Sequence, residues 1–228
     1  MANVENSISL PFEQLDDLIY YARAGDLESL QNSVSNLSKE HNCSPAAIIE
    51  AAIDSEPESE GGTGSCLFHW PAANGNLQIL QYLIGSVSSK PELSEHATQI
   101  INHKNYSGNT SLHWAALNTH LECVQALVAA GARIDLKNNA GHDAVFLAER
   151  ADWSQRAAEN ENSGEEEGAM EVDGDEKEKE AEADDTVDPE TQTAAPASKA
   201  LQVAEWLLNC EKGSELEKGA TAEDDEVN

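Results

Sequence analysis

The chain repeats itself. Gly64–Ile84 reads GSCLFHWPAANGNLQILQYLI, and Asn105–Gly131 reads NYSGNTSLHWAALNTHLECVQALVAAG. At an offset of 44 residues His69 falls on His113, Trp70 on Trp114, Leu77 on Leu121 and Leu83 on Leu127. A third copy, NNAGHDAVFLAE, places Gly141 33 residues after Gly108. Near the start, Ala22–Leu30 (ARAGDLESL) matches the middle of the other copies without their opening turn. This self-similarity constrains the fold more than any other feature. A unit this short cannot bury its apolar face alone, so the copies must stack and share one core.

Within the unit each position has a physical reason. Thr110 stands where a hydroxyl caps a helix N-terminus. Leu112, Ala115 and Ala116 recur at helical spacing, and the alanines permit close helix packing. Gly131 follows the second helix, where a left-handed C-cap is expected. The full set is Gly108, Thr110, Leu112, His113, Ala115, Ala116, His120, Leu121, Val124, Leu127, Gly131 and Ala132. It resembles the ankyrin repeat: a tight turn, T-P-L-H-x-A-A, a first helix, G-H, a second helix and a closing G-A. The resemblance implies an all-α ankyrin-repeat solenoid of about four helix-turn-helix repeats with short hairpin turns. It also implies that His69, His113 and His120 are structural, hydrogen-bonding within and between repeat turns.

Two stretches interrupt the period. Ser86–Ala97 lengthens the connection of the second copy, and Ser44–Gly64 is a linker with SEPESEGGTGS at its centre and a short helix expected at Ala46–Ile53. The fourth copy departs most. Its first helix is expected over Asp143–Trp153, but no second helix follows directly. Residues 159–190 carry 16 acidic side chains against Lys177 and Lys179, with no apolar periodicity. Such a segment cannot bury enough apolar surface to fold. Beyond it, Ser198–Cys210 (SKALQVAEWLLNC) reads as the missing second helix, with Leu201, Ala204, Leu207 and Leu208 on one face and Val203 and Trp206 beside them. The expected organisation is therefore repeats one to three and the first helix of repeat four over 1–153, and a disordered acidic insertion over 154–197. A closing helix follows over 198–212, then an acidic tail over 213–228.

Asp and Glu number 43 and Lys and Arg 13, a net charge of −30. That imbalance repels nucleic acid and anionic membranes and favours a basic protein partner. Cys43, Cys66, Cys123 and Cys210 are far apart, without metal-ligand spacing, and read as free thiols with no disulfide and no metal site. Met1–Leu10 has neither a basic nor an apolar leader region, and no apolar run approaches the roughly 20 residues of a membrane helix. A soluble cytoplasmic and nuclear protein is expected. No G-x-S-x-G, H-E-x-x-H, P-loop or G-x-G-x-x-G occurs. The chain therefore reads as a non-enzyme with no cofactor and no small-molecule substrate.

The candidate contacts are for a protein partner. The ankyrin resemblance places Trp70 and Trp114 on the first helix of their repeats, toward the concave groove. Packing against the adjacent repeat and anchoring a bound peptide are both open to them, since Trp is enriched at interface hot spots. Asn74, Leu117 and Asn118 fall on the same side by repeat register, and Tyr106, Ser107, Asn109, Asn139 and His142 on the hairpin tips. The runs GNTSLHWAALN, NNAGHDAVFLAE, VSSKPELSEHATQIIN and ARAGDLESL together resemble the fungal ankyrin-repeat chaperones dedicated to the KH-domain protein of the small ribosomal subunit. That resemblance implies a client, a newly made basic ribosomal protein gripped by its N-terminal helix and kept soluble until it reaches pre-ribosomes. A generic ankyrin scaffold or transcription regulator, holding a different protein, is the alternative.

Overall fold

The computed structural model describes residues 8–88, 95–162 and 198–220, with side chains to Ser154 in the second stretch and to Cys210 in the third. Four helix pairs carry the stack. They are α1 (Phe12–Ala24) with α2 (Leu27–Glu40), α4 (His69–Asn74) with α5 (Leu77–Val87), α7 (Ser111–Leu117) with α8 (Leu121–Ala129), and α9 (Ala144–Asn162) with α10 (Lys199–Ala220). Two more α-helices lie in the connections, α3 (Pro45–Ala51) and α6 (Glu95–Ile101), with a single 3-10 turn at Glu58–Glu60. The first helices pack in one row, α1 on α4, α4 on α7 and α7 on α9. A second row runs α2, α3, α5, α8 and α10.

Helix starts are fixed locally. The side chains of Asp26, Ser44, Asp143 and Ser198 accept from the backbone N–H three residues on, at 3.0, 3.2, 2.9 and 3.0 Å. The expected C-cap is present after α8. Gly131 takes φ +92°, and Ala132 N–H reaches back to the Leu127 carbonyl at 2.9 Å, closing the Schellman turn. One continuous core runs from Leu15 and Leu18 through Leu30, Phe68, Leu80, Leu112 and Leu127 to Val203 and Leu207.

The linker between repeats one and two does more than connect. Ile48 and Ile49 of α3 are fully buried, and α3 stands between α2 and α5 in the second row. It fills the gap that a 50-residue separation between equivalent glycines, Gly25 and Gly75, would otherwise leave. The rest of the linker is closed by an antiparallel bridge between Ile53 and Cys66. The Asp54 carboxylate accepts from both the N–H and the hydroxyl of Thr63 at 2.7 Å. In the lengthened connection of repeat two, α6 buries Ala97, Ile100 and Ile101.

The fourth repeat is split, and its second helix packs back on α9, α7 and α8. The buried face is Ala200, Val203, Ala204 and Leu207; Leu201 and Leu208 lie half-buried at its edges, one step round from the face expected. Ser198 Oγ caps α10 and also hydrogen-bonds Asp152 of α9, a buried carboxylate. Both helices outrun their expected ends. α9 continues past Trp153 to Asn162, because SQRAAENEN contains no Gly or Pro; the first breaker is Gly164. α10 continues past Cys210 to Ala220. Of the disorder expected over 154–197 and in the tail over 213–228, residues 154–162 and 213–220 are helical instead, and 163–197 and 221–228 lie outside the described residues.

Candidate functional site

The histidines are the first place to look for chemistry, and their surroundings are structural. His113 Nδ1 faces the Thr110 hydroxyl at 2.8 Å and accepts from the Thr110 N–H at 3.2 Å, closing a capping box at the start of α7. With Nδ1 accepting, Nε2 carries the proton and donates to the His142 carbonyl in the next turn at 3.1 Å. His69 repeats this arrangement. Its Nδ1 accepts from the Cys66 N–H at 3.2 Å, and its Nε2–H donates to the Asn109 carbonyl at 3.0 Å. Burial holds both rings below the usual histidine range, His69 at about 4. In repeat four Phe146 takes the histidine position, and the relay ends there.

Cys66 stands where repeat three has Thr110, with Sγ 3.2 Å from His69 Nδ1. The pair has the spacing of a thiol–imidazole dyad but not its chemistry. The thiol is 1% exposed, and burial pushes it up to about 12, so no thiolate is available as a nucleophile. Among the described residues no three His, Cys, Asp or Glu side chains converge as metal ligands, and no helix is long and apolar enough to cross a membrane.

Several candidate contacts are spent between repeats. Asn74 Nδ2 donates to the Arg23 carbonyl at 3.0 Å, and Asn118 Nδ2, its counterpart in repeat three, donates to the Ala73 carbonyl at 2.8 Å. His120 Nε2 reaches that same carbonyl at 3.1 Å. At the turns, Asn139 N–H donates to the Ser107 carbonyl at 3.1 Å and Asn139 Nδ2 to the Tyr106 carbonyl at 2.8 Å. Asn138 Nδ2 donates to Asn109 Oδ1 at 2.8 Å. The His142 ring stacks on Phe146 with centroids 4.1 Å apart. Tyr106, although 41% exposed, is a buttress for the linker. Its hydroxyl donates to the Glu56 carbonyl at 2.9 Å, and a Cβ on Gly64 (φ +68°) would sit 2.6 Å from its ring. The indoles and Leu117 are different: Trp70, Trp114 and Leu117 are half-buried and keep free surface.

A groove of about 620 Å³ opens between α1 and α4, lined by Asp16, Ile19, Tyr20, Arg23, Ala24, Trp70 and Asn74. It joins Trp70 and Asn74 to a set of α1 residues absent from the sequence-derived candidates. α1 buries Leu15, Leu18 and Ala22 and exposes Phe12 (62%), Asp16 and Tyr20 (64%) at four-residue intervals. The signal was in the sequence, as aromatics on the face opposite the core stripe. It was hidden because this repeat lacks the turn motif that sets the register of the others. Such a surface, aromatic and partly acidic, suits an amphipathic helix with basic residues.

The family profile for ankyrin repeats (3 copies) matches residues 18–138. The ankyrin repeat-containing protein YAR1 of Saccharomyces cerevisiae is 36% identical over 147 residues, 64% of this chain and 67% of that protein. A chain from the crystal structure of the yeast ribosomal protein Rps3 in complex with its chaperone Yar1 superposes with a TM-score of 0.54 at 30% identity, covering 71% of this chain and 99% of that one.

Proposed function

This chain belongs to the ankyrin-repeat family, and from that premise we propose that it is a dedicated chaperone for a newly made basic ribosomal protein of the small subunit, the counterpart of yeast Rps3. The observation that carries the reading is the 36% identity to YAR1 over 147 residues, two thirds of that protein. The surface described above supports it. Trp70, Trp114 and Leu117 offer apolar contact along the first-helix row, and the groove beside α1 extends that surface with Tyr20 and Asp16. Tyr106, Ser107, Asn109, Asn139 and His142 are proposed as the turn-side margin of the contact, with Asn74 and Asn118 holding the repeats in register beneath it.

The client's lysines and arginines are suited to RNA and adhere to it when unguarded. The chain's net charge of −30 competes for them, and the acidic run 159–190 concentrates that charge. The role is binding without catalysis, exercised in the cytoplasm and on the way into the nucleus.

Co-expression with Rps3 tests the reading. A stoichiometric complex is expected, in which Rps3 stays soluble at salt concentrations where it otherwise precipitates. A set of unrelated partners with no enrichment of Rps3 would mean a general scaffold instead.

A further inference from the structure

The groove between α1 and α4 has charge at both ends and aromatic surface between. Asp16 and Arg23 are seven residues apart, two helical turns, so both lie on one face of α1 about 10 Å apart along its axis. At that distance they do not pair with each other, and neither side chain has an ion-pair partner among the described residues. Ile19 and Tyr20 of α1 and Trp70 of α4 lie between or beside them. The backbone under the Arg23 end is fixed, since the Arg23 carbonyl accepts from Asn74 Nδ2.

We propose that this groove reads a charge pair on the bound segment. Its occupant is a helix with a Lys or Arg at the Asp16 end, an apolar side chain one turn on against Tyr20 and Trp70, and an Asp or Glu at the Arg23 end. This deepens the chaperone reading and rests on it. The two charges do different work from the chain's overall acidity. A net charge of −30 draws in any polycation. Arg23 opposes a helix that is basic along its whole length, so the groove separates one amphipathic helix from general basic sequence. It also fixes direction, because a helix laid in reverse would set like charges together at both ends. The aromatic floor supplies contact that salt does not screen.

The test uses the full chain and a synthetic peptide of the N-terminal helix of yeast Rps3. Asp16→Arg, Arg23→Asp and the double reversal are compared with wild type by titration calorimetry. Both side chains are exposed, so the melting temperature is expected to hold in all three. Each single reversal is expected to weaken binding by about fivefold or more, and the double reversal further. A peptide whose basic and acidic residues two turns apart are exchanged should bind the double reversal better than it binds wild type. If the double reversal binds the native peptide within twofold of wild type while Trp114→Ala weakens it, the charge-pair reading is wrong and the chaperone reading stands. If the native peptide fails to bind wild type at all, both are wrong.

Discussion

His69 shows how one residue links sequence, stability and solvent conditions. Its neutral ring donates across the repeat boundary to the Asn109 carbonyl, and burial holds its affinity for a proton down to about 4 against an ordinary 6.5. The unfolded chain takes up that proton first as the solution is acidified. The contribution is therefore complete above about pH 6.5, is lost as the pH falls toward 4, and reaches on the order of 3 kcal/mol. Denaturant titrations at pH 7 and pH 4.5 should show this loss in wild type and a smaller one in His69→Gln. Equal losses in both would assign the acid sensitivity elsewhere. The residues of the repeat motif were legible because their roles are either local, as for Thr110, Gly131 and the Nδ1 side of His113, or repeat with the motif, as for the reach of His113 Nε2 to the His142 carbonyl. Asn74, Asn118 and Tyr106 are exposed, as expected, but their hydrogen bonds were not legible, because the partners, Arg23, Ala73 and Glu56, lie 45 to 51 residues away. The two asparagine bonds share one register, each reaching the residue two before the preceding repeat's glycine, whereas no repeat position encodes the bond from Tyr106 to Glu56. Cys66 illustrates the same limit, a thiol occupying a hydroxyl's place in a box that tolerates either.

Among the elements, α10 carries the clearest consequence. Val203, Ala204 and Leu207 are buried against the end of the stack, and Ser198 joins the cap of α10 to Asp152. Leu207→Ala is expected to cost about 2–5 kcal/mol, readable by thermal or denaturant unfolding. Ending the chain at residue 197 should cost more and expose apolar surface, with dye binding and aggregation rising together. An unchanged melting temperature would make α10 a free appendage. The sequence revealed this helix but placed its buried face one step off, because Leu201 and Leu208 outrank Ala200 in hydrophobicity while the close approach of α9 selects the alanine. α3 was legible as a helix and not as a member of the second row. Seven residues carry too little periodicity to show which neighbours they meet.

At the scale of the whole molecule, the folded stack is expected to stand without the acidic run. Ser198 meets Asp152, yet α9 continues ten residues to Asn162, so the chain must return about 15 Å before α10 begins. A linker of about 12 residues spans that easily. Replacing residues 163–197 with such a Gly/Ser linker should shift the melting temperature by less than about 5 °C, on the order of 1 kcal/mol. It should also slow association with Rps3 at low salt and leave it little changed at high salt, as stopped-flow measurement at both would show. The split repeat has a further consequence, in time. The partners Asp152 and Ser198 are 46 residues apart in the chain. At roughly 5–20 residues per second of synthesis, α9 waits about two to nine seconds for the helix that covers it. The groove between α1 and α4 is built from residues up to Asn74, made long before either. A nascent chain therefore completes this groove first, and spends several seconds with the far end of the stack uncovered.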